Sequence, residues 1–127
     1  MPELGWCVGA AVGVICAIRW AAAAVYDVLI VKMTTRWYSS VLKDLGKNST
    51  LLDVGIGTAT ALRNNKSIVD AKDLRVAGVD YDARYIKAAE RRVANDAKLR
   101  DRVSVVCASV YDGLVLAALR PKGGFDA

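Results

Sequence analysis

Histidine is absent from the 127 residues, and that gap removes several chemistries at once. No imidazole in this chain can act as a general base, complete a Ser-His-Asp triad or join a zinc site. Cysteine is scarce. Cys7, Cys16 and Cys107 are odd in number and match no metal-ligand spacing. They read as small buried hydrophobes in a reducing compartment rather than a disulfide framework, and no metal is expected. Charge of one sign is only mildly in excess, with net charge +5 and pI near 9.3. Arg84, Lys87, Arg91, Arg92, Lys98 and Arg100 are spread along a helical segment. That pattern reads as a solvated face and argues against a nucleic-acid patch. No internal repeat or low-complexity tract is visible.

Apolar residues make up 54% and charged residues 24% of the chain, enough for one packed domain and too apolar for wholesale disorder. The apolar excess begins at the N-terminus. Residues Leu4 to Ile18 carry no charge and place Gly5, Gly9 and Gly13 four apart, a spacing suited to close packing against a second helix. As a helix this stretch is about 22 Å long, short of the ~30 Å hydrocarbon layer. Extending it to Val31 gives the length but takes in Arg19 and Asp27, and charge at mid-membrane is costly. No basic segment precedes it, so a cleavable signal peptide fits poorly. Residues 4–31 thus read either as a membrane helix or as a buried one, and a wrongly assigned start of the reading frame is a third account. If the segment inserts, Glu3 lies on one side and Arg19, Lys32 and Arg36 on the other. The positive-inside rule then places the remainder in the cytosol.

We divide the chain into a hydrophobic segment, 1–25, and a domain, 26–127. Tyr26, Leu29, Ile30, Met33, Trp37, Val41 and Leu45 form one stripe of an amphipathic helix. Gly46 supplies a stop, and Lys47-Asn48-Ser49 a turn. Thr50–Val54 reads as a buried strand, followed by a helix from Thr58 to about Asp70. A second strand runs from Leu74 to Val79 and ends at Asp80. Asp82 is the expected N-cap of a helix with apolar positions at Ile86, Ala89, Val93 and Ala97. Arg102–Cys107 reads as a third strand, Leu114–Leu119 as a short helix, and Phe125-Asp126-Ala127 as the start of a fourth strand. Alternating strands and helices call for an α/β fold with a parallel sheet covered on both faces.

The most informative run is Leu51-Leu52-Asp53-Val54-Gly55-Ile56-Gly57-Thr58-Ala59-Thr60. A strand entering Gly-x-Gly and then a helix presents bare backbone N–H groups to a ligand. Gly55 permits the tight turn, and Gly57 lacks the Cβ that would block close approach. The helix start favours an anionic group. A dinucleotide-binding loop calls for Gly or Ala where Thr60 stands, and a P-loop would need a following Gly-Lys-Ser/Thr. Further on, Asp80 closes its strand 23 residues beyond Gly57. A carboxylate there can accept hydrogen bonds from both hydroxyls of a ribose, or it can cap the next helix. We assign ribose to Asp80 and capping to Asp82.

The Leu51–Ala59 run resembles motif I of the class I, Rossmann-like methyltransferases, commonly acid-x-Gly-x-Gly-x-Gly, with Ala59 in place of the third glycine. Gly78-Val79-Asp80 resembles the segment closing that family's second strand, and Val105 to Asp112 its third anchor. There Ser109 stands where the family usually has an acid. The resemblance covers roughly residues 26–127. It implies a Rossmann-like sheet, incomplete at about three strands plus the start of a fourth, and S-adenosyl-L-methionine as cofactor. Asp53 would serve its methionine end, and Gly55, Ile56, Gly57 and Thr58 would lie along it. Asp80 would hold the ribose, Tyr81 would lie against adenine, and Ser109 with the Val110 N–H would take the adenine edge. These are binding roles; the resemblance names no catalytic residue. It leaves open the acceptor (metabolite, quinone or lipid, protein or RNA) and the oligomeric state.

The family's acceptor-facing residues come largely after its fourth strand, so the expectation is a C-terminally truncated fragment, inactive alone, with an unpaired sheet edge. Rival readings are a nicotinamide-dependent oxidoreductase, which Asp53 and Thr60 speak against, and a non-catalytic nucleotide-binding remnant.

Overall fold

A computed structural model describes residues 3–127, with side chains from residue 12 onward. The chain divides into two compact units, Met1–Met33 and Thr34–Ala127. Helix α1 (Glu3–Asp44) begins in the first and ends in the second. It is one helix where the sequence suggested separate ones. Between Gly13 and Gly46 the sequence has neither glycine nor proline, so nothing interrupts the backbone ladder.

In the first unit the described side chains are all exposed, among them Val12, Ile15, Ile18, Trp20, Val25, Val28 and Leu29. The helix is long and apolar enough to cross a membrane, with a mean hydropathy of 2.0 over an 18-residue stretch and none of that stretch buried. A Cβ on Gly13 would meet nothing within 4 Å. The expected packing roles of Gly5 and Gly9, and the burial of Cys7, lie outside the described side chains.

The second unit contains a parallel sheet of β1 (Thr50–Val54), β2 (Arg75–Asp80) and β3 (Val103–Cys107), in that order. Leu51 pairs with Val76, and Val76 with Val103, so these three side chains share one face. Helices α2 (Thr60–Asn64), α3 (Lys66–Ala71) and α4 (Ala83–Ala94) supply Leu62, Val69, Ile86, Ala89 and Val93 to the same core, and the end of α1 adds Leu42. The opposite face is more thinly covered. Helix α5 (Gly113–Leu119) is only seven residues long and buries none of them.

Four local expectations need correction. The expected stripe is exposed from Tyr26 to Val41 and only its last member, Leu45, packs on the core, where Tyr38 and Leu42 join it. This part of α1 is apolar on both rows, so period alone could not choose between them. The helix expected from Thr58 to Asp70 is two short helices broken at Asn65, whose side chain bonds the carbonyl oxygens of Thr35 and Ala61. Cys16 and Cys107 are exposed rather than buried. Cys107 ends an outer strand, and Cys16 lies on the uncovered helix. Ala97 is likewise exposed, because α4 stops at Ala94.

The last residues return to β1. Asp126 N–H donates to the Thr50 carbonyl at 2.7 Å and Leu52 N–H to Ala127 at 2.8 Å. They lie on the side of β1 away from β2, where two backbone bonds cover part of the edge expected to stand bare. In open parallel α/β sheets ligands bind outside the carboxyl ends of the strands.

Candidate functional site

Beyond Val54 the chain turns back across the end of β2. Gly55 and Gly57 have φ of 78° and 56°, values that side chains rarely adopt. The expectation of bare N–H groups does not hold. Gly55 and Ile56 donate to the Val79 carbonyl at 2.8 and 3.2 Å, and Gly57 donates to Asp80 Oδ2 at 3.0 Å. The loop is thus fastened to β2 by its own backbone. Gly78 makes that seat, since a Cβ on it would come within 2.3 Å of Ile56 Cδ1. Ile56 is buried in the core cluster, so its side chain anchors the loop instead of facing outward.

The acids flanking this loop have different surroundings. Asp53 Oδ2 accepts the Tyr38 hydroxyl proton at 2.7 Å. Burial holds the Asp53 carboxyl above the usual carboxylate range, opposed by the Tyr38 hydrogen bond and assisted by the charge of Asp80. Tyr38 is itself pushed upward, first by burial and then by the adjoining carboxylate. Asp80 is 8% exposed. Its Oδ2 accepts from Gly57 and its Oδ1 from the Asp82 N–H at 2.9 Å. A carboxylate has about four acceptor positions, so both oxygens keep capacity for further donors. Asp82 caps α4, accepting the Arg84 N–H at 2.9 Å.

Gly55, Asp80, Tyr81, Ser109 and Val110 line one cavity of about 330 Å³ together with Val54, Val79, Ala108 and Tyr111. These residues come from the carboxyl ends of all three strands. The lining is mostly apolar, and Tyr81 and Tyr111 are 85% and 95% exposed at its rim. Ser109 Oγ accepts the Tyr111 N–H at 3.2 Å, so this serine also shapes the turn after β3. Asp53 lies outside that cavity. It lines a second hollow of about 220 Å³ with Thr34, Trp37, Tyr38, Val41 and Leu52. A cavity of about 410 Å³ sits at the other end of the strands, by Arg75, Arg102 and Val103, the end that open parallel sheets do not use for ligands.

Thr58 and Ala59 carry the loop into α2. Ala59, in place of a third glycine, has φ 58° and is 1% exposed. Arg92, read from the sequence as part of a solvated face, instead turns inward. Its Nη1 donates to the Thr58 carbonyl at 2.8 Å, to Thr58 Oγ1 at 2.7 Å and to Thr60 Oγ1. Sequence reasoning also missed Tyr38 and Tyr111. Tyr111 carried a signal, being an aromatic two residues beyond Ser109 in a strand-end loop; Tyr38 carried none. Among the described residues no group of three or more acidic or cysteine side chains is placed to hold a metal.

No protein-family model matches the sequence, and no curated protein matches it. Solved structures do. The precorrin-6y C5,15-methyltransferase of Geobacter metallireducens aligns with a TM-score of 0.50 at 18% identity, over 64% of this chain and 40% of that one. A methyltransferase of Geobacter sulfurreducens, solved with S-adenosyl-L-homocysteine, aligns at 0.46 and 20%, over 60% and 28%. The cyclase SpnF aligns at 0.47 and 24%, over 59% and 27%. The chain therefore spans 40% or less of the length of each of these proteins. At 18% identity the likeness to the first of these shows the fold alone, a Rossmann-like α/β fold.

Proposed function

We propose that this chain is the cofactor-binding part of an S-adenosylmethionine-dependent methyltransferase. One observation carries the reading: Gly55, Asp80, Tyr81, Ser109 and Val110, from three separate strand ends, line a single mostly apolar cavity. A buried carboxylate with spare acceptor capacity suits ribose hydroxyls, and apolar walls between two exposed tyrosines suit a flat heterocycle. When bound, the cofactor supplies an electrophilic methyl group on a sulfonium. The protein's contribution is to bind and orient. Asp80 would hold the ribose, Tyr81 and Tyr111 would cover adenine, and the Val110 N–H would meet its edge. Asp53, held by Tyr38, would face the methionine end. Gly55, Gly57 and Thr58 would set the backbone path between the two acids. The acceptor would be a small molecule or a macromolecule.

Titration calorimetry of the full chain with S-adenosylhomocysteine and, separately, with NAD tests this. Saturable binding of the first and none of the second is expected. Preference for NAD would move the chain to the oxidoreductases, and binding of neither would leave only a nucleotide-fold remnant.

We further propose that the first unit anchors the chain in a membrane, with Thr34–Ala127 in the cytosol. Residues 12–33 make about 33 Å of helix, the thickness of the hydrocarbon layer, and they are exposed throughout; Arg19, Asp27 and Lys32 fall within that length and are the costly part of the insertion. Arg36 and Lys43 then follow on the cytosolic side. Retention in the membrane pellet after alkaline carbonate extraction is expected; release into the supernatant would refute the anchor.

A further inference from the structure

Between Gly57 and α2 the loop lacks the usual means of staying in place. Ala59 occupies the N-cap position of α2 in the left-handed region and makes no side-chain cap hydrogen bond. A residue with a Cβ is strained there. The threonines on either side do not supply the cap, because their hydroxyls are directed at each other and at Arg92. Arg92 reaches from the last turn of α4, 34 residues further along the chain, and meets three oxygens of the loop with one nitrogen.

We propose that Arg92 is a positioning residue: it fixes Thr58–Thr60, the segment that continues directly from Gly57, whose N–H meets Asp80 in the lining of the 330 Å³ cavity. The physical reason is preorganisation. Hydrogen bonds from a guanidinium are charge-assisted and directional, so the loop's freedom is removed before any ligand arrives. Arginine suits the task because its fork is rigid and its charge permanent, whereas a lysine is a single mobile point charge. The side-chain clamp takes the place of the conformational ease that a third glycine would have supplied. The affinity arm of the test rests on the cofactor reading above; the exchange arm does not.

The test uses the full chain in mild detergent, as wild type and as Arg92→Met, Arg92→Lys and Val93→Ala. Val93 is a buried neighbour of Arg92 on α4, so Val93→Ala lowers thermal stability while leaving the Arg92 hydrogen bonds to Thr58 and Thr60 in place. Hydrogen exchange at the Gly57–Thr60 amides should accelerate at least tenfold in Arg92→Met and less in Arg92→Lys, and stay at the wild-type rate in Val93→Ala. The Kd for S-adenosylhomocysteine should rise at least tenfold in Arg92→Met only. Millimolar guanidinium should recover part of that loss. Unchanged loop exchange in Arg92→Met, or equal acceleration in Val93→Ala, would overturn the clamp. If the wild type binds no S-adenosylhomocysteine yet the exchange pattern appears, the cofactor reading fails and the clamp stands.

Discussion

The carboxyl ends of β1 and β2 carry the same side chain, an aspartate, on neighbouring strands, and the protein holds the two in opposite ways. Asp80 is gripped by backbone: its oxygens accept the N–H groups of Gly57 and Asp82. Asp53 is gripped by a side chain, the hydroxyl of Tyr38 on α1. Backbone donors arrive with the loop's fold and cannot be altered without altering that fold. A side-chain donor from a distant helix can be changed alone, and it acts on the charge of its partner more than on the path of the chain. The first acid should therefore behave as a structural keystone that also binds, the second as a tunable charge.

Breaking the keystone should have the largest effect. Asp80→Ala leaves two backbone donors without their charged acceptor, and such bonds contribute about 1.5–3 kcal/mol each. A fall in stability of about 3 kcal/mol is expected from denaturant titration. Calorimetry should show a loss of roughly a hundredfold in S-adenosylhomocysteine affinity, the equivalent of two charged hydrogen bonds. A loss below tenfold would remove Asp80 from the ribose.

Gly78→Ala attacks the same region through packing. The new methyl meets Ile56 along much of its side chain, so Ile56 must shift and carry the glycine loop with it. Overpacking of this kind costs about 1–3 kcal/mol, and a similar weakening of ligand binding should accompany it. Wild-type affinity in a folded Gly78→Ala protein would separate the loop from the cavity.

Asp53→Asn should be gentler, since an amide oxygen still accepts the Tyr38 proton. Its signature is pH dependence. Burial raises the Asp53 pKa, so the folded state takes up a proton at a pH where the unfolded chain has already lost it. Asp53 thus lowers stability as pH rises from the unfolded value through the folded one. Ligand binding runs the other way, because the cationic amino group of S-adenosylhomocysteine needs the ionised acid. Affinity should drop as pH falls through that raised value, and Asp53→Asn should be weaker by about tenfold at neutral pH, as for loss of one charged hydrogen bond, and flat over the same range. An identical pH profile in mutant and wild type would exclude Asp53 from the contact.

Tyr38→Phe is the smallest change. Removal of one hydroxyl costs about 1 kcal/mol. The Tyr38 hydrogen bond lowers the Asp53 pKa, so without it the binding step should move to higher pH. A shift to lower pH would reverse the roles given to burial and hydrogen bonding.

Much of this site was legible because it is local. Glycines at 55 and 57 between a strand and a helix require the turn whatever surrounds it, and their positive φ values bear this out. Asp82 caps α4 as expected, since N-cap chemistry involves neighbours in sequence. Ile86, Ala89 and Val93 are buried because a helical face with one apolar stripe has a single way to turn. The errors fall where no local rule applied. Arg92 belonged to a row of similar basic residues, and only its place opposite Thr58 and Thr60 distinguished it. Tyr38 lay beside the stripe expected to be buried.

The order of elements, the parallel sheet and the identity of the turn-forming and capping residues follow from the sequence itself, because each depends on periodicity, backbone freedom or bonds spanning a few residues. Which row of α1 turns inward, which N–H groups the loop keeps, and which arginine clamps it were decided by the tertiary structure alone. Those outcomes depend on contacts between residues 15 to 34 positions apart, and such a contact exists only when every intervening element has taken its place.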